Sequence, residues 1–130
     1  MSVFVDTSAL YALLDVDDAG HERALRGSGR LLGDELLTHS YVVVETVSLV
    51  RRRLGAEAAA RFIDEMLPAI KIVDVDEALR GRALAAFRAA ISSGASLVDR
   101  TSFEFIRTLG ISRAYALDAD FEAEGFELVS

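Results

Sequence analysis

What most constrains the fold is an alternation that runs the length of the chain, in which short β-prone apolar runs are each followed by a longer stretch of helical periodicity. Ser2–Asp6 reads as a buried strand, and Ser8–Leu14 as a helix capped by Thr7 or Ser8. A polar helix begins at His21–Arg26 and is expected to break at Gly27-Ser28-Gly29. Glu35–Thr38 reads as a second strand, with Ser40 capping the helical run YVVVETVSLVRRRLG that Gly55 ends. Ala56–Leu67 is expected to be helical up to Pro68, the only proline, because its ring cannot continue a helix. Ile70–Val75 alternates as a strand, Asp76–Ala90 and Ser96–Leu109 read as helices, and Ala114–Leu117 and Phe126–Val129 as short final strands. Such alternation predicts an α/β fold with a mostly parallel sheet.

The 130 residues fit one domain, with no repeat, linker or low-complexity tract, so residues 1–130 are expected to fold together. A hydrophobic fraction of 52% fills a core, and the absence of cysteine removes disulfides and thiolate zinc sites. No basic leader opens the chain, and no apolar stretch approaches the roughly 18 residues of a spanning helix. A soluble cytoplasmic protein with no membrane role is expected.

Acids stand where acids are expensive. Asp6 closes the first strand and precedes a helix, the edge at which parallel α/β sheets gather ligands. A cap is the bland alternative for it, although Thr7 and Ser8 can cap as well. Glu45 lies within Val42-Val43-Val44-Glu45-Thr46-Val47, roughly opposite a stripe of Val43, Val47, Val50 and Leu54. Tyr41, Val42 and Leu49 flank it, which implies a partner, a raised pKa or a salt bridge to an arginine. Asp99 follows Ser96 at the capping-box spacing, which suits a helix start and a site at the strand edge equally. Asp118 and Asp120, in ALDADF, either grip one cation at i, i+2 or form a turn cap.

Clustered carboxylates without histidine or cysteine suit a hard cation, Mg²⁺ or Mn²⁺. They support metal-assisted attack of water on a phosphodiester. The net charge of −7 speaks against a nucleic-acid partner, but a cation cancels part of it where phosphate must approach. Arg51, Arg52, Arg53, Arg100 and Arg107 are candidates for flanking phosphates, although the first three also suit the C-terminal end of a helix dipole. The sequence has no P-loop and no nucleophile elbow, and His21 and His39 read as surface or capping residues. Phe103, Phe105, Phe121 and Phe126 read as core. With no Asn or Gln, base-specific readout of adenine is not expected.

The stretches VDTSAL, SYVVVETVSLVRRR, SLVDRTSF and YALDADFEAEGFELV, in this order, resemble the PIN-domain nucleases, and most closely the VapC-type ribonuclease toxins of VapBC toxin–antitoxin pairs. The resemblance spans nearly the whole chain. It implies an α/β/α sandwich with a central mostly parallel sheet and an acidic site for Mg²⁺ or Mn²⁺. It implies endonucleolytic cleavage of RNA to 5′-phosphate and 3′-hydroxyl ends. The family's acids fall on Asp6, Glu45, Asp99 and Asp118, with Asp120 a possible assistant and Thr7 or Ser8 supporting the first acid through a hydroxyl. A homodimer is implied, inhibited by a cognate antitoxin that also carries the pair to operator DNA. Two departures bear on substrate fit. Gly94-Ala95 stands where relatives often have Trp, and Arg100 follows the third acid where a small residue is frequent.

The residues leave a second reading open, a PIN-fold binding or assembly module with little turnover, whose expected signature is a missing acid. An aspartyl-phosphate domain fits less well, because VDTS lacks the second Asp of a phosphatase motif and no late lysine is present.

Overall fold

The computed structural model describes residues 1–130. Five parallel strands form one sheet in the order β3-β2-β1-β4-β5, where β1 is Ser2–Val5, β2 Glu35–His39, β3 Lys71–Val73, β4 Arg113–Tyr115 and β5 Glu127–Leu128. The chain moves outward from β1 through β2 to β3, then returns to the other side of β1 to lay down β4 and β5. The reversal lies between β1 and β4, and parallel sheets open a ligand crevice at such a point, beyond the carboxyl ends of the strands. The helices are α1 (Thr7–Leu14), α2 (His21–Gly29), α3 (Ser40–Leu54), α4 (Ala56–Arg61), α5 (Glu77–Ala89), α6 (Leu97–Leu109) and α7 (Ala119–Ala123). The architecture is an α/β/α sandwich around a parallel sheet, as the resemblance implies, and none of its helices is long and apolar enough to cross a membrane.

The core follows from β1, whose Val3, Phe4 and Val5 are buried, as expected of a central strand covered on both faces. Phe4 lies 5.8 Å from the rings of both His39 and Phe105 and 6.0 Å from that of Phe121. Phe103, Phe105, Phe121 and Phe126 are all buried in the same cluster, as their spacing predicts.

Several local expectations change. Asp6, not Thr7 or Ser8, caps α1, accepting from the Ser8 amide. Helix α2 runs through Gly27-Ser28-Gly29, because Gly27 packs against the Tyr115 ring and the chain at Val129 and Ser130, where a side chain would collide. The Ala56–Leu67 stretch leaves α-geometry early. It passes through a π-turn at Phe62–Met66, with the Leu67 amide bonded to the Phe62 carbonyl, into a 3₁₀ turn over Leu67–Ala69. Pro68 sits inside that last turn, near its start, where a missing N–H costs little. Between the last two strands stands α7, which the acidic run DADFEAEG conceals by its lack of a long apolar period. On α3 the buried stripe is Val42, Thr46 and Val50 rather than Val43, Val47, Val50 and Leu54.

His39 is not a surface residue. It is fully buried, caps α3 by accepting from the Val42 amide, and its Nε2 lies 2.8 Å from Ser102 Oγ. Because Ser102 already donates to the Val98 carbonyl, the imidazole donates through Nε2 and accepts at Nδ1. Burial pushes its pKa down to about 4, so it is neutral in the folded protein at pH 7.

Candidate active site

Beyond the carboxyl end of β1 and β4 lies a cleft of about 440 Å³ lined by Asp6, Thr7, Ser8, Glu45, Ser48, Leu49, Arg52, Ser96, Asp99 and Asp118. Only one of these residues is apolar. Four segments far apart in sequence supply its acids, which come from the end of β1, the middle of α3, the first turn of α6 and the segment after β4.

Asp6 is 4% exposed. Its Oδ2 accepts from both the Ser8 amide, at 3.1 Å, and Ser8 Oγ, at 2.7 Å. Neither bond uses Oδ1. Burial is the largest influence on this carboxyl and, with the nearby charges of Asp99 and Glu45, raises its pKa to about 7 against the opposing Ser8 bonds. Asp99 is also raised, first by burial and then by Asp118 and Glu45, although its bonds with Ser96 act the other way. Those bonds are the capping box expected from the sequence, with Ser96 Oγ accepting from the Asp99 amide and Asp99 Oδ2 accepting from the Ser96 amide, each at 3.0 Å. The carboxylates thus crowd one another in a partly desolvated space.

The hydroxyls beside Asp6 have separate tasks. Ser8 Oγ holds Asp6 and also accepts from the Leu117 amide at 3.0 Å, tying α1 to the segment that leads to Asp118. The Thr7 hydroxyl makes no hydrogen bond to the Asp6 carboxylate. Its Oγ1 lies 2.9 Å from Thr46 Oγ1, next in sequence to Glu45, so it couples α1 to α3. Glu45 makes no ion pair with an arginine and is half-buried on the cleft wall, with Ser48 and Arg52 one and two turns further along the same face. Ser48 is not among the acids and arginines to which the sequence points, although its i+3 spacing from Glu45 puts it on the same helix face.

Asp118 caps α7 by accepting from the Asp120 amide at 2.9 Å. One carboxylate oxygen from each of Asp99, Asp118 and Asp120 falls within 4.8 Å of the others. This all-oxygen donor set can hold a hard divalent cation. The grouping differs from the cleft wall. Asp99 and Asp118 belong to both, whereas Asp120 lines a smaller cavity of about 200 Å³ with Arg100, Glu124 and Ser93. Of the arginines, Arg52 lines the cleft, Arg51 does not, and Arg53 stacks over the Tyr11 ring at 5.4 Å. Arg100 and Arg107 are both paired with Glu124.

VapC20, the 23S rRNA-specific endonuclease of Mycobacterium tuberculosis, is 35% identical to this chain over 128 residues, 95% of each protein. The crystal structure of that sarcin–ricin-loop-cleaving toxin matches the fold with a TM-score of 0.86, covering 95% of both chains. FitAcB from Neisseria gonorrhoeae matches at TM-score 0.72 and 16% identity, over 100% of this chain and 97% of its own. VapBC2 from Rickettsia felis, bound to a DNA fragment from its promoter, matches at 0.70 and 12% identity, over 98% and 97%. These last two likenesses show the shared fold. The PIN domain family matches residues 3–126. With the match extending over almost the entire sequence and the acids of four segments meeting in one cleft, the chain belongs to the PIN domain family and is a homologue of the VapC-type endoribonuclease toxins.

Proposed function

We propose that this protein is a Mg²⁺- or Mn²⁺-dependent endoribonuclease and the toxin of a toxin–antitoxin pair, with residues 1–130 acting as one catalytic domain. The observation that carries the proposal is the convergence of Asp6, Glu45, Asp99 and Asp118 on one cleft in a chain 35% identical to VapC20. Asp6, Glu45, Asp99 and Asp118 would hold the cation, with Asp120 joining from the side of α7. When bound, the cation supplies Lewis-acid activation of water and neutralises charge on the phosphodiester.

The protein's own groups orient and screen. Ser8 fixes the Asp6 carboxylate through Oδ2 and leaves Oδ1 without a hydrogen bond, and a bound cation would keep the group ionised. Ser96 holds Asp99 at the mouth of α6. Arg52 is the one basic side chain on the cleft wall and receives a phosphate adjoining the scissile bond. A cognate antitoxin covering this cleft, a homodimeric toxin, and operator binding only through the antitoxin complete the proposed assembly.

The test is cleavage of 23S rRNA, beside pooled tRNA, by purified protein with Mg²⁺ or Mn²⁺, with EDTA, and with the Asp6→Asn variant. The 23S substrate comes first because VapC20 cuts that RNA. Discrete fragments that require both metal and Asp6 are expected. Intact RNA throughout, from folded protein free of inhibitor, would overturn the nuclease assignment in favour of a binding module.

A further inference from the structure

Helix α7 brings Asp118 and Asp120 toward Asp99, yet it has only five residues and cannot hold its own shape or place. Two attachments fix it. Phe121, fully buried, packs edge-on against Phe103 of α6 at 5.0 Å and anchors the middle. The C-terminal end is held by Glu124, whose carboxylate is shared between two arginines of α6. Arg100 Nη1 meets Oε1 at 2.9 Å, and Arg107 Nη2 meets Oε2 at 3.2 Å. Arg100 also reaches back through Nη2 to Ser93 Oγ at 3.1 Å, in the loop before α6, and its guanidinium lies 5.8 Å from the Phe103 ring.

We infer that Arg100 is a positioning residue for the cation site, fastening the end of α7 through Glu124 so that Asp118 and Asp120 face Asp99. The inference rests on the reading of these acids as cation ligands. Arg100 follows Asp99 directly, so one residue step joins the clamp to the carboxylate. A turn of α7 about Phe121 would swing Asp118 and Asp120 away from α6, and the Arg100–Glu124 pair blocks that turn. The chemistry of the pair argues against a role in stability alone. Arg100 has only 17% of its side chain exposed, and its Nε is buried with no hydrogen-bond partner. A partly buried ion pair left incomplete in this way adds little to stability that two apolar side chains of similar size would not match. Geometry is what the guanidinium adds, through donors fixed in one plane that reach Glu124 and Ser93 together.

The test is Mn²⁺ binding to the purified full chain, followed by the electron paramagnetic resonance of free Mn²⁺, with thermal melts in parallel. Arg100→Met and Glu124→Gln are each expected to weaken Mn²⁺ binding by about 10-fold or more, the range found for residues that orient metal ligands. Each single variant leaves one charge without its partner and should melt somewhat lower than the parent, so Mn²⁺ binding is compared at a temperature at which every variant is folded. The double variant should bind no more weakly than either single one, and Arg100→Lys should restore part of the affinity. Parent-like Mn²⁺ affinity in Glu124→Gln, which retains the size and shape of the side chain, overturns the inference even where Arg100→Met does not fold. Failure of the parent protein to bind Mn²⁺, or undiminished binding by Asp99→Asn, overturns instead the cation-site reading beneath it.

Discussion

Ser8 holds Asp6 through two donors on a single carboxylate oxygen, the amide at 3.1 Å and the hydroxyl at 2.7 Å. The same hydroxyl accepts from the Leu117 amide, so one serine couples the acid after β1 to the segment after β4. Asp6 is therefore both the cap of α1 and a wall of the cleft. The two roles that the sequence sets against each other are compatible because the cap occupies Oδ2 alone and leaves Oδ1 without a hydrogen bond.

Replacing Ser8 by Ala should cost about 1–3 kcal/mol, because the Leu117 amide loses its partner in a half-buried position. Asp6 should become still harder to ionise, since the lost hydroxyl bond is one that lowers its pKa. RNA cleavage should fall, with the pH at which it half-rises moved upward. Urea unfolding and a pH–rate profile check both parts, and an unmoved profile would count against Ser8 as the group that orients Asp6.

Asp6→Asn should abolish cleavage while making the metal-free protein more stable at pH 8. An amide retains the cap on Ser8 but carries no buried charge. The gain should be about 2–4 kcal/mol, since each unit by which a pKa is raised corresponds to about 1.4 kcal/mol against the ionised form. Chemical denaturation in EDTA measures it, and a loss of stability would contradict the strained state assigned to this carboxyl.

Asp6 and His39 oppose each other as pH changes. With its native pKa at about 7 and an ordinary value of 3.8, Asp6 keeps a proton that the unfolded chain releases, so its contribution is lost as pH rises through that window. With its native pKa at about 4 and an ordinary value of 6.5, His39 refuses a proton that the unfolded chain takes, so stability is lost as pH falls from 6.5 toward 4. The raised pKa of Asp99 adds to the Asp6 side. Asp6→Asn should therefore expose the His39 slope. Between pH 5 and 6.5 the variant should lose stability on acidification more steeply than the parent, by as much as about 1.4 kcal/mol per pH unit. Parallel slopes for the two proteins would refute this opposition.

Mg²⁺ or Mn²⁺ added to EDTA-treated protein at pH 8 should raise its melting temperature in a concentration-dependent way. At 100 times the dissociation constant the gain is about 2.7 kcal/mol. At pH 5 the gain should shrink, because the carboxyls must then lose protons to bind the ion. A thermal shift equal at the two pH values would place the ion away from Asp6 and Asp99.

Arg52→Glu should reduce cleavage at least 10-fold and flatten its salt dependence by about one unit of slope, with stability little changed. Arg53→Glu should instead act on stability, because Arg53 stacks on Tyr11 and not in the cleft. Cleavage at several salt concentrations, beside melts of both variants, separates the two arginines.

The parallel α/β architecture was legible from alternation alone, because buried strands and amphipathic helices write different periods. The capping box at Ser96 and Asp99 was equally plain, since a local motif carries its own spacing. Lost to sequence were the features that depend on distant partners. The helical course of Gly27–Gly29 depends on Tyr115, and the burial of His39 on Ser102 and Phe4. Nothing near Glu124 announces that two arginines will share it. The chain by itself determined which acids end strands or open helices. Only the reversal of the sheet between β1 and β4 decided that they meet, because contacts between residues far apart in sequence exist only once packing has fixed where each element lies.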